Sequence, residues 1–295
     1  VRLHLLGVRG STPAPGPNFV RYGGNTSCVA VYLDADGGPS ALPELIFDAG
    51  TGLAGLGRLL GGGAYTGDIV LSHLHWDHVQ GLPFCPAVDR DDSVVRLHLP
   101  VGDDPASPVE VLARGFSPPH FPIDPHGLRG SWEFRAVRPG TITLAGGAAL
   151  TAAPVPHKGG AAVGFRLEVA GRSLAYLPDH LLDPNHLAGS VGALVAGVDV
   201  LVHDGQYTPD EAAVASAYGH AVIDDVLAWA DACGVGRVVL THHAPSRSDA
   251  QLDSFAARYA RTGAGRPVHI ATEGEVIEVR AADPATVASL SRSGR

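Results

Sequence analysis

Short apolar runs rich in β-branched and aromatic residues punctuate the first half of the chain: RLHLLGV at 2–8, SCVAVYL at 27–33, ELIFDAG at 44–50 and DIVLSHL at 68–74. Each is bounded by Gly, Pro, Asn or Asp, the pattern of strands closed by turns. Between the third and fourth, GTGLAGLGRLLGG spaces its leucines for a helix and stops on glycine. The second half repeats the style with ALTAAPV at 149–155, AVGFRLEVA at 162–170, RSLAYLPD at 172–179, VDVLVHDG at 198–205 and RVVLTHH at 237–243. Helical spacing predicts helices over 186–196, 221–232 and 247–261. Two strand-rich halves, each with its own helices, predict an α/β chain of facing sheets with helices outside.

Residues 85 to about 138 break this rhythm with Pro, Asp and aromatics and no long periodic pattern. They predict an insertion of loops with a short helix near 107–114, framing a site. A length of 295 residues fits one or two domains. The stretch FCPAV and the insertion are the expected surface for a homodimer. A chain that is 45% hydrophobic and 17% charged has the composition of a well-buried globular core. Its net charge of −9 and single lysine, Lys158, exclude a general polyanion-binding surface, so no large nucleic acid is expected as partner. A phosphate substrate stays open, because a metal can supply positive charge locally. Three cysteines at wide spacing form neither a disulfide framework nor a thiolate zinc motif. No signal pattern appears and no apolar stretch reaches the roughly 20 residues that span a bilayer. A cytoplasmic protein without a membrane partner is expected.

The chemistry gathers in LSHLHWDH, where His73, His75, Asp77 and His78 crowd directly behind an apolar run. If the strand continued, alternation would point His73 and His75 the same way. Asp77 and His78 follow the turn and can face a second point nearby. Two adjacent ligand sets are the geometry of a two-metal site, with ions roughly 3.5 to 4 Å apart. Other apolar runs also end in residues that ligate metals: His157 in PVPHKGG, Asp179 in AYLPD, His203 in LVHDGQYT and His242, beside His243, in VVLTHHAPS.

In order along nearly the whole chain, IFDAGTG, SHLHWDH, PHKGG, VGFRLE, YLPD, HDGQYT, YGHAVIDD and THHAPS resemble the motifs of the metallo-β-lactamase fold superfamily of dinuclear metallohydrolases. The chain looks most like its phosphodiesterase branch, which includes the tRNA 3′-processing endonuclease and the phosphoribosyl cyclic phosphodiesterases. The resemblance implies an αββα sandwich of two mixed sheets in a single domain over 1–295. It implies His73, His75 and His157 on one ion, Asp77, His78 and His242 on the other, and Asp179 bridging both. That donor set suits Zn2+, with Mn2+ or Fe2+ fitting the same atoms. Asp48, closing LIFD, resembles the aspartate that takes the other N–H of a ligand histidine, against a helix N-cap as the plainer reading. His220 in GHAVIDD resembles the phosphate-contacting histidine of the endonuclease branch's GHST motif, departing from it at Ala221-Val222. His203-Asp204 stands where that branch has His-Glu, so a supporting hydrogen bond is expected of His203.

A metal-bridging hydroxide, formed because two cations pull the pKa of a water toward neutrality, is the expected nucleophile. No GxSxG elbow offers a serine instead. Hydrolysis of a small or cyclic phosphodiester is the favoured activity, with Asp77 beside the nucleophile and His220 assisting the departing oxygen. A lactone, ester or thioester hydrolase is the alternative, since the same hydroxide attacks a carbonyl. Zinc β-lactamases typically have cysteine where Asp179 stands.

Overall fold

The computed structural model describes residues 1–34, 42–144, 146–182 and 189–280. Among them, strands β1 (Arg2–Gly7), β2 (Cys28–Tyr32), β3 (Leu45–Phe47), β4 (Thr66–Val70), β5 (Val94–Pro100), β6 (Ser131–Val137) and β14 (Val276–Glu278) form one sheet, ordered β14-β1-β2-β3-β4-β5-β6. Strands β7 (Gly140–Thr143), β8 (Ala149–Pro154), β9 (Val163–Val169), β10 (Arg172–Leu177), β11 (Val200–Asp204), β12 (Arg237–Thr241) and β13 (Val268–Ile270) form the other, ordered β13-β12-β11-β10-β9-β8-β7. Each sheet is antiparallel on one side and parallel on the other, with parallel pairing from β3 through β6 and from β10 through β13.

Period-2 alternation builds three apolar layers from these strands. Leu3, Leu5, Val29 and Phe47 from the first sheet meet Leu150, Phe165, Leu174, Tyr176, Val200 and Val202 from the second in a shared core. Phe47 stacks on Tyr176 with ring centroids 4.7 Å apart and tilts against Phe165 at 5.6 Å, so one aromatic trio joins the sheets. The outer face of the first sheet packs under α1 (Leu56–Leu59), α2 (Trp76–Val79) and α3 (Pro108–Ala113). The outer face of the second packs under α4 (Ser190–Val195), α6 (Ile223–Ala232) and α7 (Asp249–Arg258), while α5 (Ala212–Tyr218) stands at the strand ends beside the site. The layering is the expected αββα sandwich.

The segment 85–138 departs from the loop-rich expectation. Its short helix is present as α3, capped by Ser107 and Glu110 in a reciprocal box. It also supplies β5 and β6, two seven-residue strands that extend the first sheet in parallel. Val95, Leu97 and Leu99 of β5 face the helices, but Arg96 and His98 on its other face, held by Asp68 Oδ1 on β4 at 2.8 Å, interrupt the continuous apolar run that marks the other buried strands. The three- and four-residue strands β7, β13 and β14 are too short to stand out from turns, and α5 lacks a long apolar stripe. The helix expected over 186–196 appears as Ser190–Val195, with 186–188 outside the described residues. GTGLAGLGRLLGG forms a 3-10 turn, Thr51–Gly55, running into α1. No helix among the described residues is long and apolar enough to cross a membrane.

Candidate metal centre

The C-terminal ends of strands from both sheets converge on one point. Strand β4 stops at Val70, three residues before His73, so His73 and His75 lie on a loop rather than on the strand the sequence extends through them. They nonetheless come together, ring centroids 4.3 Å apart, and His75 is the N-cap of α2, whose first turn holds Asp77 and His78. From the second sheet come His157 after β8, Asp179 after β10 and His242 after β12.

One donor atom each from His73, His75 and His157 lie within 4.8 Å of one another, as do those of Asp77, His78 and His242 and those of His73, His78 and Asp179. His242 Nε2 is 3.1 Å from both Asp77 Oδ2 and Asp179 Oδ1. His78 Nε2 is 3.0 Å from Asp179 Oδ2 and 3.3 Å from Asp77 Oδ2. Asp179 therefore stands between the two groups. His243 does not join them: its Nε2–H donates to the Ala271 carbonyl at 2.8 Å, and burial drives its pKa down to about 3.

These residues fit a cation. His73 Nε2 is buried without a hydrogen bond, and His78 Nε2 and Asp179 Oδ2, though 3.0 Å apart, do not meet in hydrogen-bonding geometry, an arrangement that natural cores avoid unless something else satisfies the atoms. Burial first, then neighbouring imidazoles, lowers the pKa of His73, and burial likewise lowers those of His75 and His157, leaving lone pairs for a metal. Burial pushes Asp77 and Asp179 upward, but His78 and His242 outweigh it and hold both carboxyls well below their usual range. His78 is raised, because Asp77, Asp179 and Asp48 outweigh its burial. A divalent cation would neutralise the same carboxylates in place of that proton.

A surrounding shell fixes the donors. Fully buried Asp48 accepts from Ser72 N at 2.7 Å, Ser72 Oγ and His78 Nδ1 at 2.9 Å, and the Tyr176 hydroxyl at 2.8 Å. It does not cap the following helical turn, whose N-cap is Gly50. The Ser11 amide donates to Asp77 Oδ2 at 2.6 Å. Gly10 lies so close that a Cβ there would stand 2.3 Å from His242 Nδ1. His157 Nδ1 donates to the Gly219 carbonyl at 2.8 Å, and Gly219, at φ 83°, ends α5 in a left-handed turn that delivers His220. Of the five described non-glycine residues at positive φ, three are Ser11, Asp48 and His242, so backbone strain concentrates at this point.

His220 Nδ1 pairs with Asp204 Oδ2 at 2.7 Å and lies 3.8 Å from Asp179 Oδ1. Burial works against protonation of His220, but Asp204, followed by Asp179 and Asp77, raises its pKa to about 9. His203, of which a supporting hydrogen bond is expected, makes one at a remove from the donors. On β11, Val200, Val202 and Asp204 share the face toward the other sheet, whereas Leu201 and His203 share the face under α6. His203 Nε2 meets His180 Nδ1 at 3.0 Å and reaches the centre only through that neighbour of Asp179. Asp204, one residue on, makes the contact with His220. Ser11, Ser72 and Tyr176 are further contributors that sequence reasoning did not single out. Tyr176 could have been suspected, because it is a polar-tipped residue in the apolar run that leads to Asp179; Ser11 carries no local signal.

The centre opens into a cavity of about 630 Å3 lined by His75, Asp77, His157, Asp179, His220 and His242 together with Ser11, Trp76, Gln206, Tyr207, Glu211 and Tyr218.

Comparison with known proteins agrees with this arrangement. The family described as beta-lactamase superfamily domain matches residues 44–243. A Ribonuclease Z of Mycobacterium marinum is 27% identical over 301 aligned positions, covering 95% of this chain and 99% of the relative. Among solved structures, the metallo-beta-lactamase fold protein YhfI from Bacillus subtilis is similar with a TM-score of 0.66 at 18% identity, covering 94% of this chain and 99% of that one. A diphosphatase from the PhnP family is similar with a TM-score of 0.65 at 19% identity, covering 95% of this chain and 98% of that one. With donors from both sheets meeting at the strand ends, and a family match running from β3 to the end of β12, the chain belongs to the beta-lactamase superfamily as a metal-dependent hydrolase of the metallo-β-lactamase fold.

Proposed function

We propose that the protein is a dinuclear phosphodiesterase acting on a small or cyclic phosphodiester. His73, His75 and His157 would hold one ion, Asp77, His78 and His242 the other, and Asp179 both, with Zn2+ the ion best suited to this mix of imidazole and carboxylate. When bound, two such cations supply Lewis acidity and a water acidified toward neutrality. The chain's own residues do the rest. Asp48 fixes the tautomer of His78, and the Gly219 carbonyl fixes that of His157, so that each presents Nε2 to the centre. The observation that carries the reading is the Asp204–His220 pair in the cavity wall. Asp204 holds the Nδ1 proton and favours the protonated ring, which leaves Nε2 to meet a phosphate oxygen and give a proton to the departing one. An alkoxide leaving group, such as a sugar hydroxyl, needs that proton, whereas p-nitrophenolate departs without it. The Ribonuclease Z likeness puts RNA phosphodiesters among the substrates to test beside small ones.

The test is a side-by-side assay of metal-analysed protein on bis(p-nitrophenyl) phosphate and a chromogenic lactone, with Asp179→Ala as control. Phosphodiester turnover that disappears in the control is the expected result. Turnover of the lactone alone would replace this reading with carbonyl hydrolysis and leave His220 without its role.

A further inference from the structure

The cavity over the metal centre is chemically lopsided. Among the described residues no lysine or arginine lines it, and Glu211 does. Glu211 is paired with Arg247 at 2.7 Å and Lys158 stands 5.6 Å from the Tyr218 ring, so cations beside the cavity are few and already engaged, and they form no continuous rail for a long polyanion. The remaining affinity has to come from neutral surface, and the cavity holds two large aromatic rings for that purpose. Trp76, between His75 and Asp77 in sequence, is 72% exposed, while Trp229 is buried and Trp132 half-buried. Tyr218, two residues before His220, is 61% exposed. Neither ring is packed into an apolar cluster, yet both line the 630 Å3 cavity.

Both are carried on backbone that the site positions. Trp76 opens α2 between two metal donors. Tyr218 closes α5, where Lys158 donates to the Ala217 carbonyl at 2.7 Å and sets its ammonium 5.6 Å from the centre of the Tyr218 ring. A Cβ at Gly219 would meet Lys158 N at 2.5 Å, so this turn sits hard against the loop bearing His157. Exposed aromatic rings beside an anion-binding centre are a stacking platform, because every nucleobase offers a flat π-face.

We infer that Trp76 and Tyr218 stack a nucleobase, which makes nucleoside phosphodiesters, rather than base-free ribose phosphates or long RNA, the substrate class; this rests on the phosphodiesterase reading above. Ser11, Gln206 and Tyr207, joined by hydrogen bonds from Gln206 Nε2, add hydroxyl and amide groups to the lining of the same cavity.

The experiment compares two esters with one leaving group, thymidine 5′-(p-nitrophenyl phosphate) and methyl p-nitrophenyl phosphate, on the zinc-loaded protein. The wild type is expected to favour the thymidine ester by about tenfold or more in kcat/KM, chiefly through KM, the size of one base–aromatic stack. Trp76→Ala and Tyr218→Ala should each collapse that ratio, and Trp76→Phe and Tyr218→Phe should restore most of it. A wild type without preference, or alanine variants in which both esters fall equally, overturns the inference. Calorimetric binding of thymidine 5′-monophosphate to the same proteins separates the two levels. Binding that depends on Trp76, with neither ester hydrolysed, refutes the phosphodiesterase reading and keeps the platform; no binding and no turnover refutes both.

Discussion

Asp48 shows how one side chain can tie a metal donor to the fold. Its backbone sits at φ 56°, a conformation that Asp and Asn tolerate better than most residues, so Asp48→Asn keeps the turn while changing the chemistry. One carboxylate oxygen accepts from the Ser72 amide, and the other accepts from Ser72 Oγ, His78 Nδ1 and the Tyr176 hydroxyl. Whichever way an amide is turned, its NH2 confronts at least one of these donors in a site without solvent. The variant should lose about 1–3 kcal/mol of stability and bind zinc roughly ten- to a hundredfold more weakly. Thermal denaturation and competition with a chromophoric chelator measure the two effects. An unchanged zinc affinity beside the stability loss would reduce Asp48 to a structural role.

At the scale of elements, the site depends on loops that strands hold in register. The turn after β1 is pinned to the end of β12 by hydrogen bonds from Gly10 N to the His243 carbonyl and from His243 N to the Val8 carbonyl. That pairing brings Gly10 under His242 with no room for a side chain. Gly10→Ala should therefore push the imidazole aside, leaving the circular dichroism spectrum intact while bound zinc per chain and phosphodiester turnover both fall, turnover by about a hundredfold. Full metal content in that variant would show that the ring has somewhere else to go. The same contrast between local and distant contacts decides what was legible in the sequence. His73, His75, Asp77 and His78 were readable because they are adjacent, and Asp179 and His242 because each closes an apolar run. Strands β5 and β6 were not, since Arg96 and His98 are accommodated by Asp68 on another strand. Choosing Asp204 over His203 needed only the alternation of β11 continued two residues further. Ser11 and Gly10 could not be read, because their meaning lies in a contact with residues 66 and 232 positions away.

Across the whole molecule, the metal centre joins the two sheets at one end much as the Phe47, Tyr176 and Phe165 trio joins them through the middle. His73, His75, Asp77 and His78 belong to the first sheet's side, and His157, Asp179 and His242 to the second's. Without a cation, two buried carboxylates face each other across that seam and rely on histidine protons for compensation. A bound ion would thus contribute to the stability of the sandwich as well as to chemistry, because it would bind the folded chain and not the separated donors. At free zinc a hundredfold above the dissociation constant, linkage gives about 2.7 kcal/mol per site. For a chain of this size that corresponds to a rise in Tm of roughly 4 °C per occupied site, increasing with zinc concentration. Chelation should lower Tm by the same amount and zinc should restore it, whereas Asp179→Ala, which removes the carboxylate shared by both groups, should flatten the response. A wild-type Tm indifferent to zinc and chelator would mean that the donors are held by the protein alone and that the seam gains nothing from the ion.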